Sequence, residues 1–328
     1  HAITSVQLPD SLQKIGNYAF EFCNELKEVN FPEGLITIDG AAFAYCTQLE
    51  NVVLPEGLKY LGDSAFRSCD SLTEITVPEG ITFMSGTFAT CYSLRTVNLP
   101  SGLTHMMNGV VEGCRSLETL HLPAKLESIH GSWPSSLKTI TTAFGSVRYV
   151  SEDGILYDTQ ENSIVFVNAS ITGHVTVRDG ITKIGEGAFS GRTGLTGITL
   201  PESCTVIDSY AFENCTALTD INFPEKLELI GRNAFYNSGI TSLKLSQPGL
   251  HVGSFAFTDC HQLKSVEITS TDFDLMEWAF ARCENLETVI LPPQVFRMEG
   301  GCFTECTSLT TVVLPKNITF VHGFKDCT

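Results

Sequence analysis

The stretch Leu49-Glu-Asn-Val52-Val-Leu54-Pro55-Glu-Gly57-Leu58-Lys-Tyr-Leu61-Gly62-Asp-Ser-Ala65-Phe66-Arg-Ser-Cys69 decides the fold, because the chain repeats its pattern from end to end. Its Cys returns about every 23 residues, at Cys23, Cys46, Cys69, Cys91 and Cys114, then at Cys215, Cys260, Cys283, Cys306 and Cys327. Its Phe returns at Phe20, Phe43, Phe66, Phe189, Phe212, Phe235, Phe257 and Phe280. A fixed period of this length predicts a solenoid of stacked coils, none of which buries its own apolar face alone. A broad binding surface is then the default function, ahead of a catalytic pocket.

One coil can be read residue by residue. Leu26, Val29 and Phe31 are apolar and the intervening Glu28 and Asn30 are polar, which is the period of a half-buried strand. Pro32-Glu33-Gly34 reads as a type I turn with Pro at its second position and Gly at its fourth. Leu35-x-x-Ile38 makes a second short extended segment, and Ala42-Phe43 drops into the core. The segment Ala-Phe-x-x-Cys has room for one helical turn. Strands are predicted at Val6–Leu8, Val29–Phe31, Val52–Leu54, Ile75–Val77, Val97–Leu99, Leu120–Leu122 and Ile140–Thr142. A second series follows at Val175–Val177, Ile198–Leu200, Ile221–Phe223, Leu243–Leu245, Val266–Ile268, Val289–Leu291 and Val312–Leu314. Stacked in parallel at ~4.8 Å, these would form a continuous sheet roughly 60 Å long.

The recurring Leu49-x-x-Val52-x-Leu54-Pro55-x-Gly57-Leu58-x-x-Leu61-Gly62-x-x-Ala65-Phe66-x-x-Cys69 resembles the leucine-rich repeats of the BspA type, found in bacterial surface proteins. The resemblance covers essentially the whole chain. It implies a leucine-rich-repeat solenoid, a right-handed superhelix of ~23-residue coils with a parallel concave β-sheet, mostly β with short helical turns. It also implies a secreted or cell-surface setting and adhesion to protein ligands of a host, a neighbouring cell or a matrix.

The pattern fails in one region. After Ile129 the expected Ala-Phe-x-x-Cys is replaced by His130-Gly-Ser-Trp133-Pro134. Leu137 follows Leu117 by only 20 residues, whereas the next counterpart, Leu195, lies 58 residues on. Ile155–Tyr157 and Ile164–Val167 flank Asp158–Asn162 and read as a hairpin. Tyr149-x-x-x-Asp153-Gly154-Ile155-Leu156-Tyr157 resembles an insert that the same family carries between repeat blocks. The predicted organisation is a first block over 1–142, a hairpin insert over 143–174 and a second block over 175–328, in one continuous solenoid. The insert is read as a splice between blocks, with a protruding recognition element as the alternative. The chain begins at His1 and stops at Thr328, both mid-repeat, and reads as a processed or trimmed piece of a longer protein.

The chemistry-bearing residues are mostly absorbed by the repeat. All 12 cysteines fall on core positions, with Cys204 and Cys302 replacing a Leu and an Ala. Free Cys packs as a small hydrophobe, so a ladder of thiols is expected rather than disulfides. Ser238 and Arg192 fill two ladder places without disturbing the phrase. No Cys-x-x-Cys and no Cys–His spacing suggests a metal, and no cofactor is expected. Nucleophile-elbow, Walker and His-Glu-x-x-His motifs are absent, and Gly185-Glu-Gly187-Ala-Phe-Ser-Gly191 has the wrong spacing for a dinucleotide loop, so an enzyme is not expected. Three glycosylation sequons, at Asn168, Asn214 and Asn317, read as chance matches. A net charge of −17 without any Lys/Arg cluster argues against nucleic acid or an anionic membrane. No apolar run is long enough to span a bilayer.

Two surfaces could bind. The outward side of the main sheet presents Glu28, Asn30, Glu74, Thr76, Thr96, Asn98, Thr119, His121, Asp220, Asn222, Lys244 and Glu267. This face is polar and free of aromatics, and suits protein docking. On the second segment Tyr60, Phe83 and His105 occupy one place in three successive coils, as do Val206, Leu229 and His251 in the second block. An aromatic stripe suits a glycan or a protein hot spot; packing against a neighbouring domain is the plainer use. Three functions follow: protein recognition by the main sheet, a structural spacer in a larger surface protein, or glycan binding by the stripe.

Overall fold

A computed structural model describes residues 3–270, 273–292, 297–314 and 323–327. The chain divides into two compact units, residues 1–159 and 160–328. Each is a parallel β-solenoid, and no helix occurs among the described residues. The division falls within the stretch predicted as an insert. The sequon at Asn317 lies outside the described residues.

Most coils carry two short strands. The first bears the predicted alternation, begun one residue earlier: in Glu28–Asn30, Glu74–Thr76 and Thr96–Asn98 the central Val29, Ile75 and Val97 are buried and the flanking residues exposed. The second segment forms its own parallel ladder. In the second unit Ser163–Val167, Lys183–Ile184, Val206–Ile207, Leu229–Ile230, Leu250–Val252, Phe273–Leu275 and Arg297–Met298 follow one another coil by coil.

The main sheet is not continuous within either unit, contrary to the sequence expectation. In the first unit it consists of pairs: Ser5–Gln7 with Glu28–Asn30, Glu74–Thr76 with Thr96–Asn98, and Thr119–Leu122 with Thr139–Thr142. Val52–Leu54 joins no ladder; only Asn51 bridges back to Glu28. In the second unit the sheet stops after Asp220–Ile221 and resumes at Ser242–Leu245. There the repeat is one residue short, because Ser238-Gly-Ile240 replaces Cys-x-x-Leu. The coil closes only by bringing Gly239 against the coil before it, so near that a Cβ would sit 2.4 Å from the Thr216 carbonyl.

The turns also differ from expectation. Leu35 and Leu58 N–H groups donate to the carbonyls of Pro32 and Pro55, so Pro holds the first position of the turn and Gly the third. Ala-Phe-x-x-Cys is not a helical turn. The residue before Ala and the residue before Cys both take positive φ, as at Ser64 (56°) and Ser68 (56°) or Tyr210 (58°) and Asn214 (57°). This winds the segment into successive turns whose outward-pointing N–H groups reach the next coil. Phe43, for example, donates to the Ala65 carbonyl at 2.8 Å and Phe235 to Ala256 at 2.7 Å.

Two side-chain columns run through the core beside its buried Leu, Ile and Val. Phe189, Phe212, Phe235, Phe257 and Phe280 stack face to face at centroid spacings of 5.0 Å, and Phe20, Phe43 and Phe66 stack at 5.1 and 5.3 Å. The spacing is that of the coils, so backbone stacking and ring stacking reinforce each other. The second column is the thiols. All twelve cysteines are free, and all but Cys23 and Cys327 are buried. Each ladder thiol after Cys23 donates to the backbone of the preceding coil. Cys69 donates to the Phe43 carbonyl (3.3 Å), Cys91 to Phe66 (3.1 Å), Cys215 to Phe189 (3.0 Å) and Cys283 to Phe257 (3.2 Å). The ladder place therefore needs a small buried donor. Arg192 meets the same need differently: its Nε donates to the Val167 carbonyl (2.5 Å) and its guanidinium lies 4.7 Å over Phe166. Cys69→Ala should cost about 0.5–1.5 kcal/mol, because the Phe43 carbonyl loses one of its two donors and keeps only the Cys46 N–H at 3.2 Å, and Cys69→Ser, which keeps a donor, should cost less. Urea unfolding of the two variants tests the order.

Where the phrase fails after Ile129, a hairpin takes over. Tyr149–Glu152 pairs antiparallel with Ile155–Asp158 around Asp153-Gly154, both with positive φ. Such an Asp-Gly pair closes a tight two-residue hairpin, and it stands upstream of the hairpin expected from sequence. Tyr149 is buried, and its hydroxyl accepts the Ile129 N–H at 3.1 Å. Arg148 and the buried Asp158 form an ion pair at 2.9 Å.

Candidate docking face of the main sheet

The alternation that builds each first strand also builds its outer face. Residues on either side of the buried central position must point out, so Glu28, Asn30, Glu74, Thr76, Thr96, Asn98, Thr119 and His121 are exposed in the first unit. Asp220, Asn222 and Lys244 are exposed and Glu267 half-buried in the second.

The two sets are differently engaged. In the second unit Lys244 pairs with Glu267 at 3.2 Å across neighbouring strands, and Asp220 lies 3.7 Å from His174. Asn222 is taken up by the backbone. Its Oδ1 accepts the Leu200 N–H (2.6 Å) and its Nδ2 donates to the Leu200 carbonyl (2.8 Å), completing the sheet edge where the ladder stops. In the first unit Asn98 bonds Thr76 (3.0 Å) and His121 bonds Thr141 (2.9 Å). Glu28 and Glu74 have no partner among the described residues.

The break in the first unit's sheet shapes this face. Val53 stands 81% exposed in the segment that joins no ladder. On one side lies a depression of about 550 Å³ bordered by Gln7, Glu28, Asn30, Glu33, Asn51 and Glu56. On the other lies one of about 350 Å³ bordered by Glu56, Glu74, Thr76 and Asn98. Val53 borders both, and no Lys or Arg lines either. The result is an apolar knob between two acidic hollows. Sequence reading found Glu28, Asn30, Glu74, Thr76 and Asn98, but missed Val53 and Glu56, which sit in an intact copy of the phrase.

The aromatic stripe is only partly a stripe. Phe83 pairs in register with His105, ring centroids 6.0 Å apart. Tyr60, 52% exposed, has no ring partner among the described residues and lines a separate hollow. Among the described residues no group of three or more His, Cys, Asp or Glu could hold a metal, and no helix is long and apolar enough to cross a membrane. Of the two described sequons, Asn168 is buried and Asn214 bonds Asn237 at 2.8 Å.

The BspA type leucine-rich repeat region matches residues 1–86, 82–153, 159–247 and 228–327. The chain belongs to the BspA-type leucine-rich repeat family. Among solved structures it is similar to a leucine-rich cell surface protein from Faecalibacterium prausnitzii A2-165, at 29% identity and a TM-score of 0.76, over 95% of this chain and 79% of that one. The pneumococcal vaccine antigen PcpA shares the fold at 17% identity and a TM-score of 0.79, over 95% and 84% of the two chains. A leucine-rich repeat protein from Bacteroides ovatus ATCC 8483 matches at 23% identity and a TM-score of 0.54, over 99% and 82%. No curated protein matches. Leucine-rich repeat proteins of this kind are typically non-catalytic interaction modules, and these likenesses suggest a surface location.

Proposed function

We propose that the protein is a non-enzymatic extracellular recognition module whose first unit binds a protein ligand on the main-sheet face around Val53. The carrying observation is the exposed Val53 between two hollows lined by Glu28, Glu33, Glu56 and Glu74 without a basic residue. An apolar anchor ringed by unpaired charge of one sign suits a partner that offers a hydrophobic pocket and a basic rim. Charges on such a rim act on encounter, so binding should weaken as salt rises.

The test is binding of immobilised host matrix proteins to this chain, compared with a variant in which Glu28, Glu74, Thr96 and Thr119 are all replaced by Lys. The variant should bind at least about tenfold more weakly, and Val53→Asn, which removes the apolar anchor without changing charge, should do the same with little change in salt dependence. Attachment that survives both changes would rule this face out.

A further inference from the structure

A third hollow, of about 440 Å³, lies on the turn side of the first unit, away from the main-sheet strands. Three tyrosines border it: Tyr18, Tyr45 and Tyr60. Tyr18 is 64% exposed and Tyr60 52%. None of the three hydroxyls has a hydrogen-bond partner among the described residues.

Small residues make this hollow possible. Gly40, Ala41, Ala44 and Ser64 line it between the rings. Ala41 and Ser64 stand in the left-handed place that Tyr18 fills one coil earlier and that holds Tyr210, Phe255 and Trp278 in the second unit. A large side chain at either would fill the space. Gly40 is held close beneath it: a Cβ there would meet Asn17 Oδ1 at 3.2 Å and the Asp63 carbonyl at 3.3 Å. Asn17 Oδ1 accepts the Gly40 N–H at 2.9 Å and so fixes that approach.

Two of the three tyrosines occupy backbone positions that disfavour them. Tyr18 (φ 59°) and Tyr45 (φ 62°) are left-handed, where side chains are strained and Asn, Asp or Gly are tolerated best. Equivalent places hold Asn233, Asn237 and Asp259. Most other aromatics at such places pack on another ring: Phe22 stacks on Tyr45 at 4.6 Å, and Phe255 on Trp278 at 6.4 Å. Tyr18 has no ring partner among the described residues. A residue that is strained, exposed and without a ring partner, as Tyr18 is, points to a ligand.

We infer that this hollow binds a neutral oligosaccharide. Exposed tyrosine rings offer flat apolar faces for the C–H side of a sugar, with hydroxyls at their edges. Asn17, Glu21, Asp63 and Arg67 supply donors and acceptors in the density a polyhydroxylated ligand needs. Two carboxylates against one guanidinium disfavour an anionic sugar. No Leu, Ile, Val or Met lines the hollow, so an aliphatic peptide anchor has no seat.

The test is saturation-transfer NMR and calorimetric titration of the whole chain with lactose, N-acetyllactosamine, cellotriose and maltotriose, with a proline-rich peptide as the competing class. At least one sugar should bind with a millimolar or tighter Kd. Tyr18→Ala and Tyr60→Ala should each weaken it about tenfold, as should Ala41→Phe, which fills the floor. Phe83→Ala and the four-lysine main-sheet variant should leave it unchanged, which separates this site from the protein-docking face. Absence of binding by all four sugars, sugar binding indifferent to Tyr18 and Tyr60, or capture of the peptide alone would each overturn the assignment.

Discussion

Raising the pH above about 9 should unfold the first unit, and its buried thiols are the reason. Burial pushes Cys46 and Cys114 up to about 12, and holds Cys69 and Cys91 well above the usual thiol range. In the unfolded chain the same thiols ionise near their ordinary value of 9.0. Between about 9 and 12 the unfolded state therefore binds fewer protons than the folded state, and stability falls as pH rises. Below about pH 8 both states keep their protons, and the thiols give no pH dependence. Each thiol contributes a slope of about 1.4 kcal/mol per pH unit, so four approach about 5–6 kcal/mol per unit. Against a typical stability of about 5–15 kcal/mol, the unit should be lost within about one to three pH units of 9. Tyrosines and lysines titrate nearby, so the decisive reading is a slope. Urea unfolding between pH 8 and 10.5 should show the pH slope shrinking by about 1.4 kcal/mol per unit for each of Cys69→Ser and Cys91→Ser. A slope indifferent to both would mean that the column is not the alkaline weakness.

The same column shows how far the sequence could be read. The Cys, Phe and Leu of the phrase lie where a solenoid puts them, because periodicity reports burial directly. What escaped is what the phrase does not encode. The coil from Leu49 to Cys69 is the one whose first segment leaves the ladder and exposes Val53; the signal in its sequence is an apolar residue at the outward place that Asn30, Thr76 and Asn98 hold in other coils, although nothing in the phrase announces the break in pairing. The turn was misplaced by one position because Pro-Glu-Gly is compatible with Pro at either of two turn positions, and only the Leu35 N–H to Pro32 carbonyl bond decides. Tyr60 was singled out from sequence, but its companions Tyr18 and Tyr45 fall at unconstrained places of the phrase. They meet Tyr60 only because the intervening turns run through positive φ, which residue types such as Tyr do not announce.

Truncating one central ring of the phenyl column should be the most damaging single substitution in the second unit. Phe235 is fully buried, lies 5.0 Å from both Phe212 and Phe257, and receives the edge of Phe223 at 5.9 Å. Phe235→Ala removes a buried ring in a core too regular to collapse around the gap, at a cost of about 3–5 kcal/mol. Aromatic pairing adds about 0.5–1.5 kcal/mol beyond area for each neighbour it loses. Phe20 faces only Phe43 among these stacked rings and is half-buried. Phe20→Ala should therefore cost roughly half as much or less, since transfer and cavity terms both shrink with burial. In a solenoid, stability is passed between neighbouring coils, so Phe235→Ala should also loosen its flanks. Hydrogen exchange should quicken at the Phe212 and Phe235 amides, which donate to the Ala234 and Ala256 carbonyls, while Phe43 in the first unit stays protected. Phe235→Leu restores most of the volume and should recover more than half of the loss. Equal costs for Phe235→Ala and Phe20→Ala, or faster exchange confined to residue 235, would show that the rings pack as independent pairs rather than as a column.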